Sequence, residues 1–361
     1  MQHLLCFSHL SWNFVFQRPQ HLLTRFAKIY QVLYFEEPKI GESHHYTVDF
    51  QDGVYIVQLF VTRHDEETNA EIAKLIKSVI KEYEIQSYIS WYYTPMALDF
   101  TYELSPELVI YDSMDELSAF KFAPPRLLAL EDELFQMADI VFTGGQTLYQ
   151  AKKHRHHNIH AFPSSIDKDH FGAARLFQDS PKDQEHIPYP RLGFFGVVDE
   201  RFDVQLLRDV AGERPNWNFI IIGPVVKISH EDLPQAPNIH YLGSKQYSEL
   251  PAYISQWDIS LIMFALNEST KFISPTKTPE YLAAGKPVIS TPITDVVEPY
   301  GSKGLVHIVD DCTSFVLAAE EILKENNREE WLSNVDNFLK DNSWDHTFSK
   351  MNNLISELYA K

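Results

Sequence analysis

Residues 272–292, F-I-S-P-T-K-T-P-E-Y-L-A-A-G-K-P-V-I-S-T-P, constrain the fold of this chain more than any other stretch. Proline and hydroxyl residues in the first half are typical of a loop that leads into a first helical turn. Residues 280–284 have helix-forming composition, and Gly285 is well placed to end the helix in a left-handed conformation. The apolar residues that begin at Pro287 then predict a buried strand. A loop, a short helix and a strand in this order indicate an α/β domain.

The same stretch offers a candidate site for an anion. Backbone N–H groups at the predicted start of the helix, with Ser274, Thr276 and Lys277 beside them, can receive phosphate oxygens. Glu280 lies in the first turn, where its carboxylate can accept hydrogen bonds from the hydroxyls of a ribose. The alternative is an ordinary loop, helix and strand in which Glu280 is a solvated capping residue.

The length of the chain and the order of its predicted elements indicate two α/β domains. A chain of 361 residues is too long for one average domain. Predicted strands alternate with helices, which indicates parallel sheets with crossover helices. The strands cover residues 4–8, 31–36, 53–60, 87–91, 108–111, 139–143, 191–197, 217–223, 238–243, 258–264 and 306–309. We place the first domain at residues 1–168, a polar linker at 169–190, the second domain at 191–342 and a last helix at 343–361.

Composition narrows the class of partner and the compartment. A formal net charge of −19 argues against general nucleic-acid binding, which relies on Lys and Arg to neutralise phosphates. The two cysteines, Cys6 and Cys312, have no metal-ligand spacing and fit a reducing compartment. The N-terminal residues lack the pattern of a signal peptide, and no apolar run is long enough to span a bilayer. We therefore expect a cytoplasmic protein, with a peripheral contact to the inner face of the membrane left open.

The loop after the first predicted strand is rich in side chains that can stack on a sugar or hydrogen-bond to it. In an open α/β sheet, ligands bind where the first strand leads into its helix. The alternative is that the aromatic residues of the loop simply pack it against the domain. The candidates for acceptor or sugar binding in this loop are His9, Trp12, Asn13, Phe14, Arg18 and Gln20.

The segment Y-D-S-M-D-E at residues 111–116 is the second functional candidate. It lies just past a predicted strand end, on the binding side of a parallel sheet. Asp112 or Asp115 could act in catalysis there, by orienting an acceptor hydroxyl or by stabilising positive charge on a sugar ring. The alternative is helix capping, with Asp112 or Ser113 as the cap and the later acids in the first turn.

A second phosphate candidate follows the strand predicted at residues 191–197. Gly196 lets the backbone approach a diphosphate, and Arg201 supplies a forked donor. No second basic residue follows at residues 203–207.

A basic cluster, K-K-H-R-H-H at residues 152–157, stands out on this acidic chain. It could contact anionic membrane lipid or an anionic acceptor. The alternative, which we favour, is a solvated helix C-terminus where the helix dipole stabilises cations.

Three blocks, in this order, resemble the GT-B glycosyltransferases, particularly the GT4-like group of bacterial surface-polysaccharide clusters. They are the first loop, the Y-D-S-M-D-E segment, and P-x-K-x-x-E-Y-L-A-A-G-K-P-V at residues 275–288. The resemblance implies two doubly wound Rossmann-like domains that face each other across a cleft. It also implies an N-terminal acceptor domain, a C-terminal donor domain for the nucleotide sugar, and a last helix that crosses back to the first domain.

For the donor site, the resemblance implies that Glu280 binds the ribose of a nucleotide sugar. It also implies that basic residues, here Arg201 and Lys277, bind the diphosphate. The first Glu of the family's usual E-x7-E pattern falls at Phe272, which has no carboxylate. Glu268, a little upstream, is then the substitute candidate for contact with the sugar hydroxyls.

For the activity, the resemblance implies a hexosyltransferase that retains the anomeric configuration, with no metal and no other cofactor. Its co-substrate would be a UDP- or GDP-linked sugar, which an acid at Asp112 or Asp115 approaches. The acceptor would be a hydroxyl group of a glycan, a lipid-linked molecule or a small molecule. Two alternatives stay open: a sugar-nucleotide epimerase or hydrolase on the same architecture, and a non-catalytic partner in a polysaccharide assembly complex.

Overall fold

A computed structural model describes residues 2–63, 66–177, 179–325 and 327–359 of the chain. It forms two compact units: Met1–Pro163 with Trp344–Lys361, and Ser164–Ser343. The strands are β1 (Gln2–Phe7), β2 (Tyr30–Phe35), β3 (Lys39–Ile40), β4 (His45–Gln51), β5 (Val54–Val61), β6 (Tyr88–Tyr92), β7 (Leu108–Ser113), β8 (Ile140–Thr143), β9 (Ile159–Ala161), β10 (Arg191–Phe195), β11 (Asn218–Ile222), β12 (Ile239–Gly243), β13 (Ile259–Ile262), β14 (Val288–Ser290) and β15 (His307–Ile308).

The α-helices connect these strands and cover the two sheets. They are α1 (Arg18–Phe26), α2 (Glu66–Glu82), α3 (Leu98–Thr101), α4 (Leu127–Met137), α5 (Gln146–Lys152), α6 (Lys168–Gly172), α7 (Val204–Glu213), α8 (Leu250–Ser255), α9 (Lys277–Ala283), α10 (Thr294–Val296), α11 (Cys312–Lys324), α12 (Glu329–Leu339) and α13 (Trp344–Tyr359). Single 3₁₀ turns lie at Pro95–Ala97, Leu117–Ala119, Ala173–Arg175, His230–Asp232 and Tyr247–Glu249, and a π-helical turn at Val297–Gly301.

The first unit is built on a sheet with the strand order β3-β5-β2-β1-β6-β7-β8-β9. The pairs along this path are parallel, and β4 adds an antiparallel pair with β5. In the centre, Leu5 of β1 lies between Leu33 of β2 and Ser90 of β6. Because successive side chains of a strand point to opposite faces, Leu5 and Leu4 belong to two different cores, one on each face of the sheet. Both faces are therefore covered, as is usual for parallel strands.

The second unit has a fully parallel sheet with the order β12-β11-β10-β13-β14-β15. Gly193 in the middle of β10 lies opposite Ile220 of β11 and Ser260 of β13. Only glycine fits there, because a Cβ at this position would lie 2.0 Å from the ring of Trp257. The carboxyl ends of the strands meet at one edge of the sheet, which is where ligands bind in open α/β sheets. These two sheets confirm the predicted α/β class with two doubly wound, Rossmann-like domains.

The segment predicted as a linker, residues 169–190, is instead part of the second unit, so that prediction is wrong. Phe171 and Ile187 lie in the core of that unit. Gln184 is fully buried, where its Oε1 accepts the indole N–H of Trp257 at 2.9 Å and its amide donates to Tyr253 O at 3.1 Å. The core residues of segment 169–190 are too widely spaced to show a helical or strand period. For that reason its sequence resembles that of a linker.

The first unit differs from the prediction in several places, among them the short strands β3 and β9, which were not predicted. The antiparallel strand β4 was not predicted, because its side chains are mostly exposed and lack a buried alternating face. No helix begins at Asp112, since β7 continues to Ser113 and is buried throughout. The helix-capping interpretation of Asp112 and Ser113 is therefore wrong. Helix α13 belongs to the first unit, where the ring of Trp344 stacks on His21 with centroids 4.6 Å apart.

Two features are absent from the described ranges. None of the helices there combines the length and the apolar composition that a membrane span needs. The same residues include no group of three or more His, Cys, Asp or Glu side chains that could hold a metal ion.

Candidate functional site

The stretch at residues 272–292 folds as a loop, helix α9, a turn and strand β14. The helix begins at Lys277, earlier than predicted, because Thr276 already has helical backbone angles (φ −57°, ψ −31°). It ends at Ala283, and Gly285 has φ +73°, which confirms the predicted left-handed residue after the helix. Every helical residue after Lys277 is buried, so α9 is an internal element whose first residue lies nearest the surface.

Glu280 is a buried carboxylic acid. It is 5% exposed, and its Oε2 has no hydrogen-bond partner among the described residues. Thr278 Oγ1, in the same helix, is a second buried oxygen that has no hydrogen-bond partner among the described residues. Burial raises the pKa of Glu280 to about 8, although the charge of Lys277 acts in the opposite direction. The interpretation of Glu280 as a solvated cap is therefore wrong, and the helix offers a buried acceptor for hydroxyl donors.

Lys277 lies against the turn that follows β10. A Cβ on Gly196 would stand 2.3 Å from Lys277 Cε and 2.6 Å from Nζ, so the end of this side chain lies directly over the glycine. Gly196 also has φ +137°, a conformation that L side chains rarely adopt. The ammonium lies 5.4 Å from the ring centroid of Phe194 and 5.5 Å from that of Phe264. A phosphate that approached the Gly196 backbone would meet this ammonium.

The turn after β11 packs directly on the Gly196 turn. Gly223 has φ +139°, and a Cβ there would lie 1.9 Å from Gly196 O. The N–H of Gly196 donates to Ile222 O at 2.8 Å, and the N–H of Gly223 donates to Gly243 O at 2.9 Å. Backbone hydrogen bonds at these glycines thus hold the ends of β10, β11 and β12 together. This close approach leaves the Lys277 side chain as the group that covers the Gly196 turn.

Arg201 lies in the loop after β10 and is held by Asp199 of the same loop. Its Nε lies 3.0 Å from Asp199 Oδ1, and its Nη2 lies 2.6 Å from Oδ2. Asp199 is buried, and its Oδ1 also accepts the backbone N–H of Arg201 at 2.9 Å. The carboxylate therefore fixes the guanidinium and offsets part of its charge. A diphosphate ligand would have to share Arg201 with Asp199.

The other donor-site candidates lie in the loop before α9. Ser274 and Thr276 are half-buried, and Ser274 O accepts a hydrogen bond from Ser164 Oγ at 2.8 Å. Glu268 is exposed, in a turn organised by the side-chain oxygen of Asn267, which accepts two backbone N–H groups. The roles of these side chains toward a ligand stay predictions.

In the first unit, two of the predicted sugar-binding residues are buried parts of the loop framework. The ring of Trp12 packs edge-on against Tyr34, and its backbone N–H donates to Glu36 Oε1 at 2.7 Å. Gln20 is also buried and donates its amide to Trp12 O at 2.6 Å and to Val15 O at 3.1 Å. The packing alternative therefore describes Trp12, and Gln20 shapes the loop.

Arg18 and Asp112 form a buried ion pair. Arg18 Nε lies 3.0 Å from Asp112 Oδ2, Nη2 lies 2.9 Å from Oδ1, and Nη1 donates to Phe162 O at 2.8 Å. Asp112 is 0% exposed. Burial raises the pKa of Asp112, while the charge and hydrogen bonds of Arg18 lower it. Both carboxylate oxygens are thus engaged inside the unit, which makes Asp112 a partner of Arg18 and not a group that substrate touches.

Three predicted residues lie closer to the surface of the first unit. Asp115 is half-buried in the loop after β7, and His9 is half-buried after β1. Phe14, at the tip of the first loop, is 45% exposed. The roles of these side chains toward an acceptor or the transferred sugar stay predictions.

The basic cluster at residues 152–157 is partly packed into the first unit, although Lys153, His154 and His157 are exposed. Lys152 is buried and reaches Glu116 Oε2 at 2.9 Å as well as Glu131, a carboxylate that also accepts the hydroxyl of Tyr111 at 2.7 Å. Arg155 donates to the same Glu131 at 2.6 Å. For Lys152 and Arg155, the interpretation as a solvated helix end is therefore wrong, and both cations stabilise the packing beneath the Asp115 loop.

Two residues that position α9 were not predicted from the sequence. The hydroxyl of Tyr281 accepts the backbone N–H of Phe195 at 3.0 Å. Arg175 donates to Ala283 O at 2.8 Å and pairs with Asp336 at 2.7 Å. Neither carries a sequence signal, because Tyr281 reads as an ordinary apolar position of the helix and Arg175 lies in the segment mistaken for a linker.

Comparisons with known proteins relate this chain to glycosyltransferases. Residues 190–325 match the family described as Glycosyl transferases group 1. Over 266 residues the chain is 24% identical to TuaH of Bacillus subtilis (strain 168), provisionally named a teichuronic acid biosynthesis glycosyltransferase. That alignment covers 67% of this chain and 65% of TuaH, so the chain spans less than two thirds of its relative.

Solved structures share the fold over nearly the whole chain. The sucrose-phosphate synthase of Thermosynechococcus elongatus has a TM-score of 0.74 at 14% identity, with 100% of each chain covered. HepE of Anabaena, solved in complex with UDP and glucose, has a TM-score of 0.72 at 12% identity, with 99% of this chain and 100% of HepE covered. The chain therefore shares the GT-B fold of these structures, and its second unit carries a match to the group 1 glycosyltransferase family.

Proposed function

We propose that this chain transfers a sugar from a nucleoside-diphosphate sugar to a hydroxyl group of an acceptor, with retention of anomeric configuration. The observation that carries the proposal is the buried Glu280 carboxyl with its unpartnered oxygen, one turn from an ammonium that lies against a bare glycine turn. Glu280 binds the ribose hydroxyls. Lys277 binds the diphosphate over the Gly196 turn, with Arg201, Ser274 and Thr276 around it.

The chemistry needs stabilisation of a departing diphosphate. The bond between the anomeric carbon and the diphosphate oxygen breaks, and the acceptor oxygen forms the new bond on the same face of the sugar. Lys277 and Arg201 stabilise the charge that develops on the leaving group. The proton of the acceptor hydroxyl passes to the departing phosphate oxygen. Asp115 stays the catalytic candidate of the first unit. Asp112 acts only through Arg18.

We place the reaction in the synthesis of a surface polysaccharide or glycoconjugate, on the cytoplasmic side of the membrane. TuaH, the relative named for teichuronic acid biosynthesis, supports this context. HepE was solved with UDP and glucose, which supports a UDP-linked donor as the first to test and a GDP-linked donor as the second. His9, Phe14 and Glu268 are the candidates for contact with the acceptor or the donor sugar.

A thermal-shift screen tests the donor site first. UDP, GDP, ADP, CDP and dTDP are compared on the full chain, and the sugars of any diphosphate that binds follow. We expect one base to raise the unfolding temperature, because a ligand that binds only the folded state stabilises it by mass action. Product analysis with and without an acceptor then separates transfer from hydrolysis or epimerisation. Binding without turnover of any donor would favour the non-catalytic alternative, and no binding at all would overturn the donor site.

Nucleotide affinity should increase with pH if Glu280 binds the ribose. The two ribose hydroxyls donate hydrogen bonds and therefore favour the carboxylate form of Glu280. Without nucleotide, burial keeps the Glu280 side chain largely protonated below its pKa of about 8. If only the carboxylate binds, affinity should be about eightfold higher at pH 8.5 than at pH 7. Calorimetry over this range measures the slope. Glu280→Gln is the control and should show no such dependence, so an equal slope in both proteins would remove Glu280 from the site.

A further inference from the structure

We propose that Tyr281 is a positioning residue for the diphosphate subsite: its hydroxyl fixes the register of α9 against the Gly196 turn and so sets where Lys277 lies. The inference rests on the proposed function, because it assigns the diphosphate to this turn. Tyr281 itself is fully buried and does not reach a ligand.

The hydrogen bond of Tyr281 joins the helix to the last residue of β10. Pairing between β10 and β13 covers Leu192 and Gly193 and stops short of Phe195. The N–H of Phe195 donates instead to the hydroxyl of Tyr281 at 3.0 Å. The same two rings pack edge to face, with centroids 5.1 Å apart. The end of the strand is therefore tied to the helix by one oxygen atom.

The spacing along α9 makes this bond relevant to the ligand. Lys277 and Tyr281 are four residues apart, so they lie on the same face of the helix. On that face Tyr281 holds Phe195, while Lys277 covers Gly196, the next residue of the same turn. A slip of the helix that broke the first contact would also move the ammonium away from the glycine.

The other end of α9 is held separately. Arg175 donates to Ala283 O at 2.8 Å and is itself paired with Asp336 of α12. This contact fixes the C-terminus of the helix without reference to the Gly196 turn. Loss of the Tyr281 hydroxyl should therefore leave α9 folded and displace its N-terminal half, which carries Lys277.

The test is Tyr281→Phe, which removes one oxygen and keeps the ring. UDP and UMP are titrated by calorimetry, with GDP and GMP as the second pair. We expect UDP affinity to fall about tenfold and UMP affinity to fall less than threefold, because the second phosphate depends on Lys277. A purely structural role would lower both affinities equally or neither, so an unchanged ratio of UDP to UMP affinity would overturn the inference.

A matched control is Tyr253→Phe. Tyr253 belongs to the same core, and its hydroxyl donates to Asp183 at 2.7 Å, away from the Gly196 turn. It should leave the ratio of UDP to UMP affinity unchanged.

Amide hydrogen exchange gives a second measurement that needs no ligand. Exchange at the Phe195 amide should become faster in Tyr281→Phe and stay unchanged in Tyr253→Phe. Equal exchange rates at Phe195 in the wild type and both variants would contradict the proposed role of the Tyr281 hydroxyl. If the wild-type protein bound no nucleotide while exchange at Phe195 still responded to Tyr281→Phe, the proposed function would fail and Tyr281 would keep only a role in the fold. If the wild type bound UDP and the affinity ratio were unchanged in Tyr281→Phe, only this inference would fail.

Discussion

Glu280→Gln should weaken the binding of the nucleoside diphosphate by about 30- to 100-fold at pH 8.5, where the carboxylate is populated. The substitution keeps the shape of the side chain and removes the charge that two ribose hydroxyls would share. Hydrogen bonds to a charged group contribute roughly 1.5–3 kcal/mol each, and one such bond accounts for most of this loss. Calorimetry with the diphosphate found in the thermal-shift screen measures the change.

The same variant should be more stable than the wild-type protein when no ligand is present. Burial raises the pKa of Glu280 from 4.5 to about 8, so the folded state binds a proton more tightly than the unfolded state. The stability that this proton contributes is full below about pH 4.5 and is lost as pH rises toward 8. Above pH 8 the wild type keeps a buried charge that Lys277 offsets only in part, whereas glutamine carries no charge. Thermal unfolding at pH 8.5 should therefore give a higher midpoint for Glu280→Gln.

Glu330→Gln is the control, because Glu330 is an exposed carboxylate on α12 of the same unit. It should change neither affinity nor the unfolding midpoint. If Glu280→Gln and Arg201→Ala both bound the diphosphate as tightly as the wild type, the assignment of the donor site to this edge of the sheet would be wrong.

Helix α9 was largely predictable because its signals are local. The loop residues, the turn-forming Gly285 and the apolar strand after it lie within about twenty residues, and each acts through its own backbone preference. Its burial was not predictable. That Glu280 lacks a partner for Oε2, and that Lys277 lies on Gly196, depends on strands that are distant in sequence. Sequence analysis could name these residues but not their environment.

The first unit shows the opposite case, in which residue type suggested function and packing decided otherwise. Arg18 and Asp112 look like binding and catalytic groups when each is read alone. They lie 94 positions apart and pair with each other in the interior. In sequence Lys152 likewise looks like a surface cation, whereas in the structure it is paired with Glu131 of α4. Charged residues near strand ends are ambiguous in sequence, because a long-range ion pair leaves no periodic pattern.

Gly223→Ala should be the most disruptive single-methyl substitution in the second unit. The new Cβ would lie 1.9 Å from Gly196 O and 2.7 Å from Gly196 C, which are backbone atoms that no side-chain rotation can move. The residue would also keep φ +139°, a region that is strained for any L side chain. Strain and collision together should cost about 3 kcal/mol or more, which for a chain of this size lowers the unfolding midpoint by several degrees.

Gly212→Ala separates this effect from the general cost of changing a glycine. Gly212 lies in helix α7, has ordinary helical angles, and has nothing within 4 Å of the position a Cβ would take. The substitution should stabilise the protein by about 0.5–1 kcal/mol, because alanine loses less backbone freedom in a helix. The folded fraction of the Gly223→Ala protein should also fail to bind the diphosphate. The collision can be relieved only if the Gly196 turn moves away, and this movement separates the turn from Lys277. Wild-type affinity in that variant would mean that the turn does not hold the phosphates.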